Sequence, residues 1–354
     1  MSQRELAGVS VIIPVHNGAT WLDDCLASVL RQEYSANTQC PALEVSVFLD
    51  SCTDASEAVV DRWSAVLRNA GCCVTVKTEH NDKPRGVGYA KNRAVEQSQG
   101  EFLCFLDADD IMLPTRIQQQ YELASKHHDA IVGSRFFRQP ADSTARYTRW
   151  ANTLTPLQLE TQIYMSHGPT VIMPTWFCHR SVFDRVGGFS EEGAGTPEDL
   201  IFFFHHLRLG GRVLRHDDEL LIYRYHPHAT TFSVSEETIW DLRIREIEER
   251  VLSSWDGFTI WNAGKQGRRF YRSLSKESQR KVIAFCDVDA KKVGSVYTYE
   301  ESAERPKPRV PIVHFTKARP PLIICMKMEL TGGKFEENLA SLFLQEATDY
   351  HLFN

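Results

Sequence analysis

What the chain lacks narrows its class before any motif is considered. None of its apolar runs approaches the roughly 20 residues that a membrane-spanning helix requires, and residues 1–8 contain no apolar core of signal-peptide length. The nine cysteines, at positions 25, 40, 52, 72, 73, 104, 178, 286 and 325, are odd in number and scattered, with no Cys-x-x-Cys and no Cys/His pairing of zinc-finger spacing. They read as reduced thiols. No Asn-x-Ser/Thr sequon occurs anywhere, which agrees with a compartment outside the secretory route. A cytoplasmic location without membrane attachment is therefore the expectation. Repeats and low-complexity tracts are also missing, and the short Arg305-Pro306-Lys307-Pro308-Arg309 stretch reads as an exposed extended loop.

What is present is an ordinary globular composition. With 354 residues, 42% of them hydrophobic, the chain can fill one large core and a smaller one. A division into residues 1–238 and 239–354 is expected, the second part opening with a helical link at residues 239–252. Net charge is -6 overall, yet residues 262–334 hold 16 Lys/Arg against 7 Asp/Glu. Such a local excess suits a polyanion, with a merely solvated basic face as the competing reading.

From Val9 onward, short β-rich runs alternate with amphipathic helices. Residues 9–15 read as a buried strand, and Thr20 reads as the cap of a helix carrying Leu22, Leu26, Val29 and Leu30 on one face. Strands are expected at 43–49, 73–77 and 102–106, with helices at 55–67 and 89–97 between them. This alternation predicts an α/β fold with a doubly wound, mostly parallel sheet. In such sheets ligands bind beyond the carboxyl ends of the strands. Three segments fall there: Pro14-Val15-His16-Asn17, Asp50-Ser51-Cys52-Thr53-Asp54 and Asp107-Ala108-Asp109-Asp110.

Asp107 and Asp109 flank one small residue, so a turn brings both carboxylates toward one hard divalent cation. Oxygen ligands of this kind suit Mn2+ or Mg2+. Glu198 and Asp199 open a strongly apolar helix running to Leu207, where acidic residues commonly complement the helix dipole. Trp176 and Phe177 offer flat apolar surface for an acceptor, with core packing as the alternative. Further on, residues 258–267 have the strand-turn-helix shape of a dinucleotide fingerprint, with Asn262 in place of the first glycine and Asp287 ending the next strand. Lys265, Arg268, Arg269 and Arg272 crowd the start of that helix, as a phosphate would favour.

Four ordered segments, Val11-Ile12-Ile13-Pro14-Val15-His16-Asn17, residues 86–92, Phe105-Leu106-Asp107-Ala108-Asp109-Asp110 and Val186-Gly187-Gly188-Phe189 through Glu198-Asp199, resemble the motif set of the family 2, GT-A type glycosyltransferases. The resemblance covers residues 8 to about 235. It implies a Rossmann-like GT-A domain, a nucleoside diphosphate sugar donor, a divalent cation and inversion at the anomeric carbon. It further implies that Pro14 and His16 hold the nucleoside and that Asp50 bonds the uracil ring. Gly86, Lys91, Asp107 and Ala108 line the donor site in the same scheme. Asp107, Asp109 and His226 are its implied metal ligands, and Asp199 its base. Lys91 departs from the more usual Arg, and His16 from the more usual Tyr.

A small Rossmann-like C-terminal unit is not part of ordinary family 2 enzymes. Residues 168–177 and 261–269 are the most distinctive stretches, and they extend the resemblance to members that act on tRNA. That extension implies galactose transfer from UDP-galactose to queuosine at the wobble position of cytoplasmic tyrosine tRNA. Trp176, Lys265, Arg268, Arg269 and Arg272 are the implied acceptor contacts. Two alternatives stay open, an N-acetylglucosaminyltransferase acting on a glycan or protein, and an inactive tRNA-binding or nucleotide-sensing protein.

Overall fold

The computed structural model describes residues 8–33, 43–227, 229–327 and 329–354, without the side chains of 230 and 231. Residues 1–7, Cys40 and His228 lie outside the described residues, and with them the N-terminal part of the sequence reading. The chain divides into two compact units, one of residues 1–160 and 168–235, the other of 161–167 and 236–354.

In the first unit the order is β1 (Val9–Val15), α1 (Ala19–Leu30), β2 (Leu43–Asp50), α2 (Ser56–Asn69), β3 (Cys73–Glu79), α3 (Val87–Glu96), β4 (Phe102–Phe105), β5 (Ile111–Met112), α4 (Arg116–Ala124) and β6 (Ala130–Gln139). There follow α5 (Ala145–Thr153), α6 (Pro156–Thr161), β7 (Phe177–His179), α7 (Arg180–Val186), α8 (Glu198–Arg208) and β8 (Arg212–Arg224). One eight-stranded sheet runs β3-β2-β1-β4-β7-β6-β8-β5. The β1, β2, β3 and β4 pairings are parallel, as the helix-strand alternation predicts. β7 then pairs antiparallel to both β4 and β6. All seven β1 residues are buried, and each large apolar side chain among them contributes about 1.5–3 kcal/mol by leaving water. Strand order reverses beside β1, and the crevice at its carboxyl end is where such sheets bind ligands.

The expected Thr20 cap is replaced. Gly18 takes the N-cap position without a side-chain bond of its own. The helix start is instead tied down from the next turn, where Ser56 Oγ accepts the Gly18 N–H at 2.9 Å and Asp54 Oδ2 accepts the Ala19 N–H at 3.0 Å. A tertiary carboxylate does here what a local hydroxyl does in an isolated helix.

The second unit comprises α9 (Glu236–Arg250), β9 (Phe258–Trp261), α10 (Lys265–Ser273), α11 (Lys276–Arg280), β10 (Val282–Asp287), β11 (Val296–Thr298), β12 (Arg309–His314), β13 (Leu322–Ile324), α12 (Lys334–Ala340) and β14 (Tyr350–Leu352). Its six-stranded sheet runs β11-β12-β10-β9-β13-β14, parallel except at β11. Segment 161–167 belongs to this unit although it precedes β7 in the chain. Arg243 of α9 explains why: its buried guanidinium donates to the carbonyls of Tyr164 at 3.0 Å, Ser166 at 3.3 Å and Asn354. Three carbonyls converging on one buried cation outweigh chain order, because an unpaired buried charge is costly.

Candidate active site

The turns leaving β1 and β2 are built as one piece. Asn17 and Ser51 both adopt positive φ, 51° and 54°, and Asn17 Oδ1 accepts the Thr53 N–H at 2.8 Å. His16 Nδ1 donates to the Asp50 carbonyl at 2.7 Å, which leaves Nε2 to accept from Asn17 Nδ2 at 3.3 Å. The exposed imidazole is therefore oriented rather than free. Asp50 is buried, and its Oδ2 accepts the N–H groups of Arg85 and Gly86 at 2.7 and 2.9 Å, while Ser51 Oγ lies 3.2 Å from Oδ1. Much of this carboxylate is thus used in fixing the entry to α3. Gly86 has φ 103°, and a Cβ on it would sit 3.1 Å from Gly193 Cα. At Gly88 a Cβ would fall 2.1 Å from the Ser190 carbonyl, so the 187–193 loop can lie against α3 only over glycine.

Asn92 joins the same two motifs. Its amide donates to the Phe189 carbonyl at 2.9 Å and to Glu191 at 2.8 Å, and accepts the Phe189 N–H at 2.8 Å. Beside it in α3, Lys91 is 3% exposed and donates to Glu198 Oε1 at 2.8 Å. Two expectations are corrected here. Lys91 is not an open donor-site cation, and Glu198 is not simply a helix-start carboxylate; they form a buried pair that fixes α8 against α3. Removing one member strands the other without water. Lys91→Met is expected to cost about 3–5 kcal/mol, read as a lower urea midpoint at an unchanged m-value. A shift under about 1 kcal/mol would show the pair to be nearly neutral.

Asp199 follows directly. Its Oδ1 accepts the Leu200 N–H at 2.7 Å, and Oδ2 looks toward Gly168, where an added Cβ would stand 3.7 Å away. Desolvation first, then the Glu198 charge, pushes its carboxyl up to about 7, against the opposing pull of Lys91. Asp107 is raised to about 6, again chiefly by burial, with Asp109 and Glu198 adding and Lys91 opposing.

Asp107, Asp109 and Asp110 bring one ligand atom each to within 4.8 Å of one another. Asp107 Oδ1 and Asp110 Oδ2 are buried without a hydrogen-bond partner, the condition expected of oxygens shaped for a cation. The donor set is all carboxylate, which fits Mn2+ or Mg2+. Asp110, in the sequence only the end of the motif, is the most deeply buried of the three. Its Oδ1 accepts the Arg224 N–H at 2.9 Å, while burial and the two neighbouring carboxylates raise its pKa well above the usual range. His226 stands differently from the expectation of a direct ligand. Its Nε2 donates to Asp109 Oδ2 at 2.9 Å and its ring stacks on Trp21 at 4.9 Å, 22° from parallel. It therefore meets the cluster through a hydrogen bond to Asp109. Arg224 braces the same corner, with Nη1 3.3 Å from the Asp109 carbonyl, an ion pair to Asp24 and its guanidinium 5.1 Å from the Trp21 ring centre.

The family model described as Glycosyl transferase family 2 matches residues 10–187, half of the chain, which takes in the Asp50 and Asp107–Asp110 segments and ends before Asp199, Arg224 and His226. The chain is a family 2 glycosyltransferase. It is 25% identical over 228 residues to the uncharacterized glycosyltransferase EpsJ of Bacillus subtilis, covering 63% of this chain and 62% of that one. An uncharacterized glycosyltransferase of Rickettsia conorii matches at 25% over 263 residues, 70% of this chain and 40% of its own length. The chain thus spans less than two thirds of both relatives. One from Rickettsia typhi is 24% identical over 300 residues, 82% of each chain. Among solved structures, TarS of S. aureus in complex with UDP-GlcNAc superposes with a TM-score of 0.51 at 20% identity, covering 76% of this chain and 71% of that one. The likeness to TarS shows that the glycosyltransferase has the expected GT-A fold.

The remaining predicted positions of the glycosyltransferase are scattered. Pro14 is buried within β1 and Ala108 is partly buried between the two aspartates. Trp176 is 1% exposed, packs among Phe189, Phe202 and Phe203, and donates Nε1 to the Val171 carbonyl at 2.8 Å. With Phe177 equally buried, the acceptor reading of both is corrected to core packing. In the second unit Lys265 and Arg272 are exposed, whereas Arg269 lies 3.9 Å over Trp240 and pairs with Glu236 at 3.0 Å, and Arg268 lies 4.9 Å over Tyr297. Asn262 does adopt a glycine-like φ of 114°. Its Oδ1 accepts the Gly264 N–H at 2.7 Å, and Asp287 accepts the Ala263 N–H and the Lys292 ammonium, both at 3.0 Å. Asp287 is thus engaged by the fingerprint loop itself.

Among the described residues, no helix is long and apolar enough to cross a membrane.

Proposed function

We propose that this family 2 enzyme is a queuosine-tRNA galactosyltransferase, moving galactose from UDP-galactose to the cyclopentenediol of queuosine at the wobble position of cytoplasmic tyrosine tRNA, with inversion. The observation that carries the chemistry is Asp199, a carboxylate with one oxygen fixed by its own helix and the other facing Gly168, and with a pKa raised to near neutrality. That is the range in which a general base works best at physiological pH. Asp199 takes the proton of the acceptor hydroxyl as that oxygen attacks the anomeric carbon from the face opposite the leaving diphosphate. Asp107, Asp109 and Asp110 would hold Mn2+ or Mg2+, which supplies charge stabilisation to a diphosphate when bound. His226 steadies Asp109, and the His16 turn with Pro14, Asp50, Gly86 and Ala108 shapes the nucleoside side. Lys91, though buried, supplies positive charge behind Asp107 and Asp199.

The acceptor reading is supported by the resemblance over 168–177 and 261–269, the first of which begins at the glycine facing Asp199, and by the basic excess of 262–334. Lys265, Arg268, Arg269 and Arg272 of the second unit are proposed to meet the phosphate backbone. Binding to tRNA is then expected to weaken ~10- to 100-fold between ~50 and ~200 mM salt, because each neutralised phosphate releases counterions. Filter binding across that range checks it, and a flat response would remove the electrostatic contribution.

The deciding experiment incubates the protein with labelled UDP-galactose or UDP-N-acetylglucosamine and tRNA with or without queuosine. Label is expected only in queuosine-containing tRNA and only from UDP-galactose. The TarS likeness, seen with UDP-GlcNAc bound, favours as second reading an N-acetylglucosaminyltransferase acting on a glycan or protein. Failure to release UDP from any donor would instead indicate a tRNA-binding or nucleotide-sensing protein.

A further inference from the structure

A groove of about 560 Å³ lies beside the acidic cluster, lined by Pro140, Ser143, Tyr225, His226, Pro227 and Phe232. Its walls are two prolines and two aromatic rings that the fold leaves in water. Tyr225 is 40% exposed and Phe232 56%, with ring centres 5.6 Å apart and planes crossing at 68°. The two exposed rings together make a small apolar patch.

The groove is continuous with the catalytic corner. His226 forms part of its lining, and the same imidazole donates to Asp109. Whatever lies on Tyr225 and Phe232 is therefore next to the cluster. Its rim is cationic. The Arg138 guanidinium lies 5.4 Å from the Tyr225 ring centre and 3.9 Å from that of Tyr223, steadied by its Nε donating to Thr144 Oγ1 at 3.0 Å.

The lining is mainly apolar face, with the Tyr225 hydroxyl, the Ser143 hydroxyl and the His226 ring as its few polar groups. The Ser143 hydroxyl is turned onto the Pro140 carbonyl at 2.6 Å, and His226 Nε2 is committed to Asp109. A sugar ring carries hydroxyls around its edge that need partners once covered. A nucleobase instead presents a π face that stacks on an aromatic side chain irrespective of its sequence, with its phosphate drawn to a nearby cation.

We propose that this groove stacks an unpaired base of the RNA acceptor, a neighbour of the nucleotide being modified, with Arg138 at the rim supplying charge to the adjoining phosphate. The proposal rests on the reading of an RNA acceptor made under the proposed function. It gives the stacked base and its adjoining phosphate to the first unit, beside the contacts proposed above for the basic residues of the second.

The test uses the full chain with Phe232→Ala and Phe232→Trp. Affinity for an anticodon-arm RNA is measured by filter binding, and KM is measured separately for tRNA and for UDP-galactose. Phe232→Ala is expected to weaken RNA binding and raise the tRNA KM about tenfold, as loss of one stacked base does. Phe232→Trp should restore both, with the UDP-galactose KM unchanged throughout. Wild-type RNA affinity in Phe232→Ala would overturn the proposal, as would competition for the groove by an oligosaccharide instead of RNA. If wild-type protein labels no tRNA yet its RNA binding still falls with Phe232→Ala, the transfer reading fails and the groove stands. Normal labelling with an unchanged tRNA KM in Phe232→Ala would keep the transfer reading and remove the groove from RNA recognition.

Discussion

With Asp199 in its proposed role, Asp199→Asn is expected to lower the transfer rate by about 10²- to 10⁴-fold, the usual contribution of a positioned base, while affinity for the sugar-nucleotide donor stays within about twofold. The amide keeps the shape and the Leu200 contact but cannot take a proton. The wild-type pH profile follows from the same group. Its pKa is raised to about 7, so the base is active when deprotonated and the rate should fall on the acid side of neutrality, well above the ordinary carboxylate range. In Asp199→Asn that limb should vanish from the residual activity. Stability runs with the opposite sign: a carboxyl whose folded pKa is raised contributes stability below its unfolded pKa of about 4, and that contribution is lost as pH rises through about 7. Asp199→Asn should therefore melt no lower than wild type at about pH 8. A near-normal rate, measured as label transfer under single-turnover conditions, would place the base elsewhere.

Asp109→Asn should abolish metal-dependent UDP release, by about three orders of magnitude if charge stabilisation of the leaving group is worth several kcal/mol. Asp109 is chosen over its neighbours because its side chain is partly accessible and takes its hydrogen bond from His226, so its replacement should leave the fold intact. Isothermal titration with Mn2+ reads the same change without turnover, and undiminished binding together with undiminished release would remove the cation from this cluster. Asp110→Asn is a harsher variant, since Asp110 also holds the Arg224 backbone.

The gathering of the strand-end segments at one edge was legible because its signals are local. Strand period, Gly-punctuated turns and an Asp-x-Asp after an apolar run lie within a few residues of one another, and a parallel sheet necessarily gathers its strand ends at one edge. The partnership of Lys91 with Glu198 was not legible, because 107 residues separate them and each alone resembles a common surface charge. Asp110 escaped for the same reason: the Arg224 N–H that holds it arrives from β8, 114 residues later. Trp176 misled because an aromatic in a loose stretch reads alike in a core and in a binding site until its neighbours are known. Asn92 has no evident role within its motif until its clamp on Phe189 is seen.

By itself the sequence determined the family, the α/β alternation, the carboxylates at the strand ends and the basic bias of the C-terminal part, all of which depend on composition and short spacing. Only the tertiary structure decided which charges face one another. It buried Lys91 against Glu198, raised Asp199 into the working range of a base, gave His226 to Asp109 and drew residues 161–167 into the second unit through Arg243. Those outcomes depend on desolvation and on distances of a few ångströms between residues far apart in the chain, and neither quantity is written in the order of the residues.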